Sequence, residues 1–267
     1  MGYPGGVRGG GFWLSALCLP PCNVSVKKVL RHTEPLMPTI LPDLPKVEAA
    51  IIEITNTVRA EAKLGAVVVI PQLTAAARAY ADLLAKSDKF SHDADGTLSD
   101  RTQRAGYEHC TIAENLALHK DSRGFQTRAL AVSAMEGWLN SPGHRKNLMT
   151  AELTEIGVGV AKAPDKDPKF ILVQVFGRPQ SMSISFQVSN TTGETVSVSF
   201  SGKSQQLTPH MAMTMHACSG GPLALEKKGA KAFSARFDAA DGTNYVVSGT
   251  AGAGPLKVDV SKRQTVK

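Results

Sequence analysis

Three side chains near the middle of this 267-residue chain can converge on one chemistry: His92, Glu114 and His144. Each lies in a short motif rich in small or turn-forming residues. The motifs are Phe90-Ser91-His92-Asp93-Ala94-Asp95-Gly96, Ala113-Glu114-Asn115-Leu116-Ala117 and Ser141-Pro142-Gly143-His144-Arg145-Lys146-Asn147-Leu148. Imidazoles and a carboxylate brought together make a divalent-metal site or an acid/base site. Two neutral imidazoles and one carboxylate would leave open positions on a divalent ion and would release it as the histidines protonate near about pH 6. The plainer alternative is that the histidines hydrogen-bond each other or Glu114 and only shape a cleft. Ser141, three residues before His144, is a weaker candidate for a nucleophile that uses that histidine as base. Other catalytic signatures are missing: there is no HExxH helix and no Gly-x-Ser-x-Gly elbow. Gly157-Val158-Gly159 has Lys162 where a dinucleotide loop needs its third glycine, and it lies in a strand-like run.

The elements that must position these residues follow from periodicity. Pro35, Pro38, Pro42 and Pro45 make residues 27–45 an extended linker. From Lys46, Val47, Ile51, Ile54 and Val58 recur at helical steps up to Gly65. A second helix carries Leu73, Ala76, Ala77, Tyr80 and Leu84 on one face. A short helix is expected from Arg101 to Ala105, and another from Thr127 to Leu139 that stops at Asn140-Ser141-Pro142-Gly143. Glu155 to Ala163 and Lys169 to Gly177 read as an antiparallel strand pair. Trp138, Tyr107 and Phe125 read as core, and His109 and His119 as exposed or capping. Helices followed by strands give an α+β layered domain over residues 46–179.

After residue 180 the helical period disappears. Six strand candidates, at 183–188, 195–200, 211–217, 232–237, 245–248 and 256–260, give a small β-sandwich-like domain over 180–267. His210, His216 and Cys218 lie in this tail, but no further ligand accompanies them, so a structural role is expected for each.

The net charge of +7 favours anionic surroundings, yet no basic run is interleaved with aromatics, so nucleic acid is not an expected partner. No stretch of about 18 apolar residues exists, so no membrane span is expected. Residues 1–26 contain Arg8 and a short apolar run, Phe12 to Leu19, which reads either as a degenerate export signal or as residues added by a mis-assigned start. Cys18 and Cys22 match neither a redox nor a zinc spacing. Cys110 and Cys218 either pair in an oxidising compartment or stand as two separately buried thiols.

Several ordered motifs resemble the CAP superfamily of cysteine-rich secretory, antigen five and pathogenesis-related proteins, in its shorter bacterial branch, the SCP-domain proteins. They are Asn56 and Arg59, Ser91-His92, Arg104-Ala105-Gly106-Tyr107, Glu114-Asn115-Leu116, the run from Gly137 to Leu148, and Ile156-Gly157-Val158-Gly159. The resemblance covers about residues 46–179. It implies an α-β-α sandwich with a cleft of two histidines and two acids that can bind a divalent cation such as zinc. His92, Glu114 and His144 match three of those positions. Ser141 stands where the second acid belongs, and Glu136 points off that face of the helix. The resemblance further implies an extracellular or periplasmic monomer that binds a lipid, cell-wall component or other envelope partner. The rival reading is a metal-assisted, peptidase-like hydrolase in which His92 and His144 hold the metal and Glu114 is the general base.

Overall fold

The computed structural model describes residues 39–87, 89–228, 232–249 and 256–262. The apolar run Phe12 to Leu19, Cys18, Cys22 and most of the proline-rich linker lie outside the described residues.

Helix α1 spans Leu44–Glu61, with Pro45 in its first turn and the Asp43 carboxylate accepting from Lys46 N at 3.2 Å. Strand β1, Val68–Val69, and α2, Pro71–Lys86, follow. Helix α3, Leu98–Arg104, opens on a reciprocal cap in which Thr97 and Asp100 each bond the other's backbone N–H. Strand β2 is His109–Lys120, α4 is Thr127–Asn140, and α5 is Pro142–Leu148. Strands β3, Glu155–Lys162, and β4, Lys169–Pro179, close the first half. These four strands form one sheet in the order β1-β3-β4-β2, with β4 antiparallel to both neighbours.

Both faces of the sheet are covered, and β4 shows how. Its Phe170, Leu172 and Phe176 enter one core with Val47 and Ile51 of α1 and Trp138 of α4. Its Ile171, Val173 and Val175 enter a second core with Leu73, Tyr80 and Leu84 of α2. A central strand buried on both faces reads as a continuous apolar run, as this one does. Strand β3 alternates differently: Ile156, Val158 and Val160 serve the first core, while Gly157 and Gly159 face α2. A Cβ on Gly157 would lie 2.1 Å from the Leu73 carbonyl carbon, and one on Gly159 would lie 2.3 Å from Arg78 N. These glycines let helix backbone rest on strand backbone, which is the role left once a dinucleotide loop is set aside.

A single turn, Gln180–Met182, leads to β5, Ile184–Asn190. Seven further strands follow: β6 Val196–Phe200, β7 Lys203–Leu207, β8 Ala212–Ala217, β9 Gly221–Lys227, β10 Phe233–Ala239, β11 Thr243–Ser248 and β12 Lys257–Lys262. They form two four-stranded sheets, β10-β9-β6-β7 and β12-β11-β5-β8. Phe186, Val188, Val198, Leu223, Leu225 and Tyr245 fill the space between them. The sequence points to six of these strands; β7 and β9 are additional.

The two halves are joined covalently. Cys110 on β2 and Cys218 after β8 form a disulfide, with Cα atoms 5.3 Å apart. Of the two readings open for this pair, the structure has the bonded one. Arg178 of β4 adds a bond from Nε to the Cys218 carbonyl oxygen at 2.6 Å.

Candidate functional site

The candidate residues meet at the outer edge of β2. Glu114 lies on this strand opposite Val175, and Asn115 lies opposite Gln174. His92 comes from the loop between α2 and α3, on one side of the sheet, and His144 from the first turn of α5, on the other. The α2–α3 loop is tied down by Tyr80, whose hydroxyl donates to Ser91 O at 2.5 Å and accepts from Ala94 N at 3.1 Å. Helix α5 begins directly after α4 because Ser141 is extended, at φ −99° and ψ 118°, and Pro142 is already set for a first helical position. The Pro-Gly pair that reads as a stop in the sequence is therefore a restart.

Glu114 is engaged through both oxygens. Its Oε1 lies 2.8 Å from His92 Nδ1, and its Oε2 accepts from the Arg101 guanidinium at 2.7 Å. The carboxylate side chain is 3% exposed and that of Arg101 4%. A carboxylate paired in this way only accepts, so His92 Nδ1 donates to it, and in the neutral imidazole Nε2 is the nitrogen that keeps the lone pair. Arg101 also donates to His92 O and Gly96 O, each at 2.9 Å, and lies 3.5 Å over the Tyr80 ring. One buried guanidinium thus fixes the carboxylate, the loop carrying His92 and the tyrosine beneath.

His144 is positioned from the opposite side by amides. Asn115 Nδ2 donates to His144 O at 3.3 Å and to Gln174 Oε1 at 3.0 Å. Asn147 Nδ2 donates to Glu114 O at 3.0 Å and to Asn115 Oδ1 at 2.9 Å, which covers the free edge of β2. Gln174 continues the chain to Thr55 Oγ1 at 2.8 Å. The His92 and His144 ring centroids are 6.5 Å apart at an angle of 43°. Burial and the neighbouring His92 both hold the His144 pKa below the ordinary histidine value.

The remaining candidates take other places. Ser141 ends α4 and starts α5, with its carbonyl accepting from Arg145 N at 2.8 Å; among the described residues no hydrogen bond joins it to His144. Glu136 is exposed on α4. Trp138 and Tyr107 are buried, and Phe125 is half-buried against the first core. His119 is half-buried rather than exposed, and burial lowers its pKa. His109, also half-buried, sits between the Ser99 and Thr102 hydroxyls, at 3.3 Å from each.

Arg101 and Gln174 are the site residues that sequence reasoning missed. Gln174 had a signal: it is the one polar residue in the run Phe170 to Phe176. Arg101 had none, since an arginine in a short helix reads as surface.

Among the described residues no group of three or more His, Cys, Asp or Glu side chains is placed to hold a metal ion. The donor set that remains is His92 Nε2 and the His144 ring. At Zn–N lengths of about 2.0–2.1 Å the rings must approach by roughly 1 Å to bind one ion tetrahedrally. His92, whose side chain is 58% exposed, has room for that movement. The set fits a loosely held divalent ion with open positions, not a closed structural zinc. Glu114, with both oxygens bonded and little exposure, orients His92 as carboxylates behind metal-binding histidines do.

Residues 52–176 match the family model described as CAP, cysteine-rich secretory protein family. The chain therefore carries a CAP domain, built as an α-β-α sandwich and followed by additional β-sheets. Two curated relatives come from Bacillus subtilis (strain 168). The uncharacterized membrane protein YlbC is 30% identical over 42% of this chain and 31% of its own length. The uncharacterized protein YkwD is 30% identical over 43% of each. A solved extracellular protein containing a SCP domain, from Bacillus anthracis str. Ames, is 32% identical over 51% of this chain and 41% of its own, with a TM-score of 0.41. The chain thus spans less than half the length of each of these relatives. Among the described residues no helix is long and apolar enough to cross a membrane.

Proposed function

We propose that this is an exported CAP-domain protein that binds a ligand or envelope partner through the His92/His144 cleft, where the two imidazoles hold a divalent cation such as zinc. The observation that carries this reading is the placement of His92: its Nδ1 lies 2.8 Å from the buried Glu114 carboxylate, and its ring centroid lies 6.5 Å from that of His144. A bound cation supplies open coordination positions for a carbonyl, carboxylate or phosphate oxygen of the ligand. Around it, Glu114 and Arg101 keep His92 in one tautomer, and Asn115 and Asn147 hold the turn that presents His144. A role as general base asks more of Glu114, because its oxygens already serve His92 and Arg101. Export is supported by the secretory family that the domain matches and by the Cys110–Cys218 disulfide, a bond typical of oxidising compartments. The net charge of +7 suits anionic cell-wall polymers or lipid headgroups as partners.

Calorimetric titration with zinc tests the site. At about pH 7.5 the wild-type chain should bind zinc, and His144→Ala should bind at least about tenfold more weakly. Zinc needs neutral imidazole, and the His144 pKa is depressed, so His144 keeps its lone pair below the ordinary histidine value. Affinity should therefore fall on acidification, as protons displace the metal. Zinc binding that is the same in His144→Ala, or that does not weaken in acid, would overturn the proposal.

A further inference from the structure

Among the described residues Ser141 and His144 do not pair, but Ser99 and His109 do. Ser99 Oγ lies 3.3 Å from His109 Nε2, and Thr102 Oγ1 lies 3.3 Å from Nδ1 of the same ring. Thr102 is fully buried, and its hydroxyl donates to Ser99 O at 3.1 Å. A hydroxyl has one proton, so Thr102 can only accept from the ring. All three bonds form together in one arrangement alone: Nδ1–H is given to Thr102, and Nε2 accepts the Ser99 proton. That is the order of a nucleophile, its base and an orienting group. His119 lacks it. Its Nδ1 lies 3.3 Å from Ser133 Oγ, and among the described residues no hydrogen bond reaches its other nitrogen.

The group stands on fixed backbone. Ser99 and Thr102 share α3, held by its reciprocal cap, and Thr102 O accepts from Tyr107 N at 2.9 Å. His109 opens β2 opposite Pro179. Its neighbours on either side are Glu108, whose carbonyl accepts from Gln180 N at 3.0 Å, and Cys110 of the disulfide. Ser99 and His109 are half-buried, so each keeps part of its surface open to solvent. Spacings of 3.3 Å are the loose end for a resting nucleophile and base, which tighten on substrate. Glu114 lies farther along β2, roughly 16 Å from His109 at a strand rise of about 3.3 Å per residue, so the group is separate from the His92/His144 cleft.

We propose that Ser99 is the nucleophile of a second, esterase-type site, with His109 as its base and Thr102 as a positioning residue. The substrate class is a carboxylic ester. Ser99 Oγ adds to the carbonyl carbon while its proton passes to His109 Nε2; the ester C–O bond breaks, and the leaving alcohol takes that proton. Water, deprotonated by His109, then adds to the acyl-serine; the carboxylic acid leaves, and the proton returns to Ser99 Oγ.

An alkyl fluorophosphonate is the probe: an Oγ–P bond forms, the P–F bond breaks and fluoride leaves. The full chain is treated in excess EDTA, which keeps metal chemistry out, and the labelled peptide is found by mass spectrometry. One phosphonyl group should appear on Ser99. His109→Gln should slow this labelling, and turnover of p-nitrophenyl acetate, at least about a hundredfold. Ser99→Ala should remove the turnover. Thr102→Val should lower kcat/KM, and Thr102→Ser, which restores the hydroxyl, should recover it. Circular dichroism checks the folding of each variant, and Ser99→Ala decides alone if His109→Gln unfolds. Ser99 left unlabelled, labelling at the same rate in folded His109→Gln, or turnover unchanged in Ser99→Ala would overturn the proposal.

Discussion

Arg59→Met is expected to lower the stability of the chain by about 4 kcal/mol, with no contact to any proposed ligand. Arg59 is fully buried on α1 and makes no ion pair among the described residues. Its guanidinium instead donates to four carbonyls: Gly65 at 2.8 Å, Leu148 and Thr150 at 2.9 Å, and Leu153 at 3.0 Å. Those oxygens belong to the exit of α1 and to the segment joining α5 to β3. Methionine fills similar volume but leaves all of them without a donor in a dry interior, and each such loss costs on the order of 1 kcal/mol or more. Burial lowers the arginine's own pKa, which registers the same desolvation from the other side. Urea unfolding followed by circular dichroism would check the value. A loss below about 1 kcal/mol would mean that water reaches those carbonyls.

Arg101→Met carries the second large effect, about 3–5 kcal/mol, because it strands the Glu114 carboxylate at 3% exposure with one oxygen unpaired. The carbonyls of His92 and Gly96 lose their donor as well. Replacing both members of the pair should cost less than the sum of the single changes. Arg101→Met/Glu114→Gln is therefore expected to show a coupling of at least about 2 kcal/mol in a double-mutant cycle. Additive losses would mean that the pair is solvated in solution.

The layered half of the fold was legible because its long elements obey simple periods. The apolar stripe of α1, the alanine face of α2 and the paired runs of β3 and β4 each announce their packing. Strand β2 was not legible, although it carries Glu114. Its Ala-Glu-Asn-Leu-Ala stretch buries two polar side chains, and what makes that tolerable is Arg101, Asn147 and Gln174, all distant in sequence. Helix α5 was hidden by Pro142-Gly143, a pair that ends helices as readily as it starts one. Strand β7, Lys-Ser-Gln-Gln-Leu, is exposed except at Leu207 and is held by backbone pairing with β6, so no apolar pattern marks it. Strand β9 opens with Gly221-Pro222, a pair that normally breaks strands. The histidines of the cleft could be picked out because turn residues flank them. Which of their neighbours orient them depends on contacts between elements far apart in the chain.

The central claim is that Glu114 holds the Nδ1–H of His92, so that Nε2 is the ring nitrogen left for a cation shared with His144. Long-range ¹H–¹⁵N spectra of the histidine rings, recorded through a zinc titration, test it most directly. The structure predicts that His92 carries its proton on Nδ1 before metal is added. Its Nε2 signal should then move on titration together with the ring of His144, while the other five of the seven histidines stay in place. A proton found on Nε2 of His92, or zinc that moves other histidines and leaves this pair untouched, would contradict it.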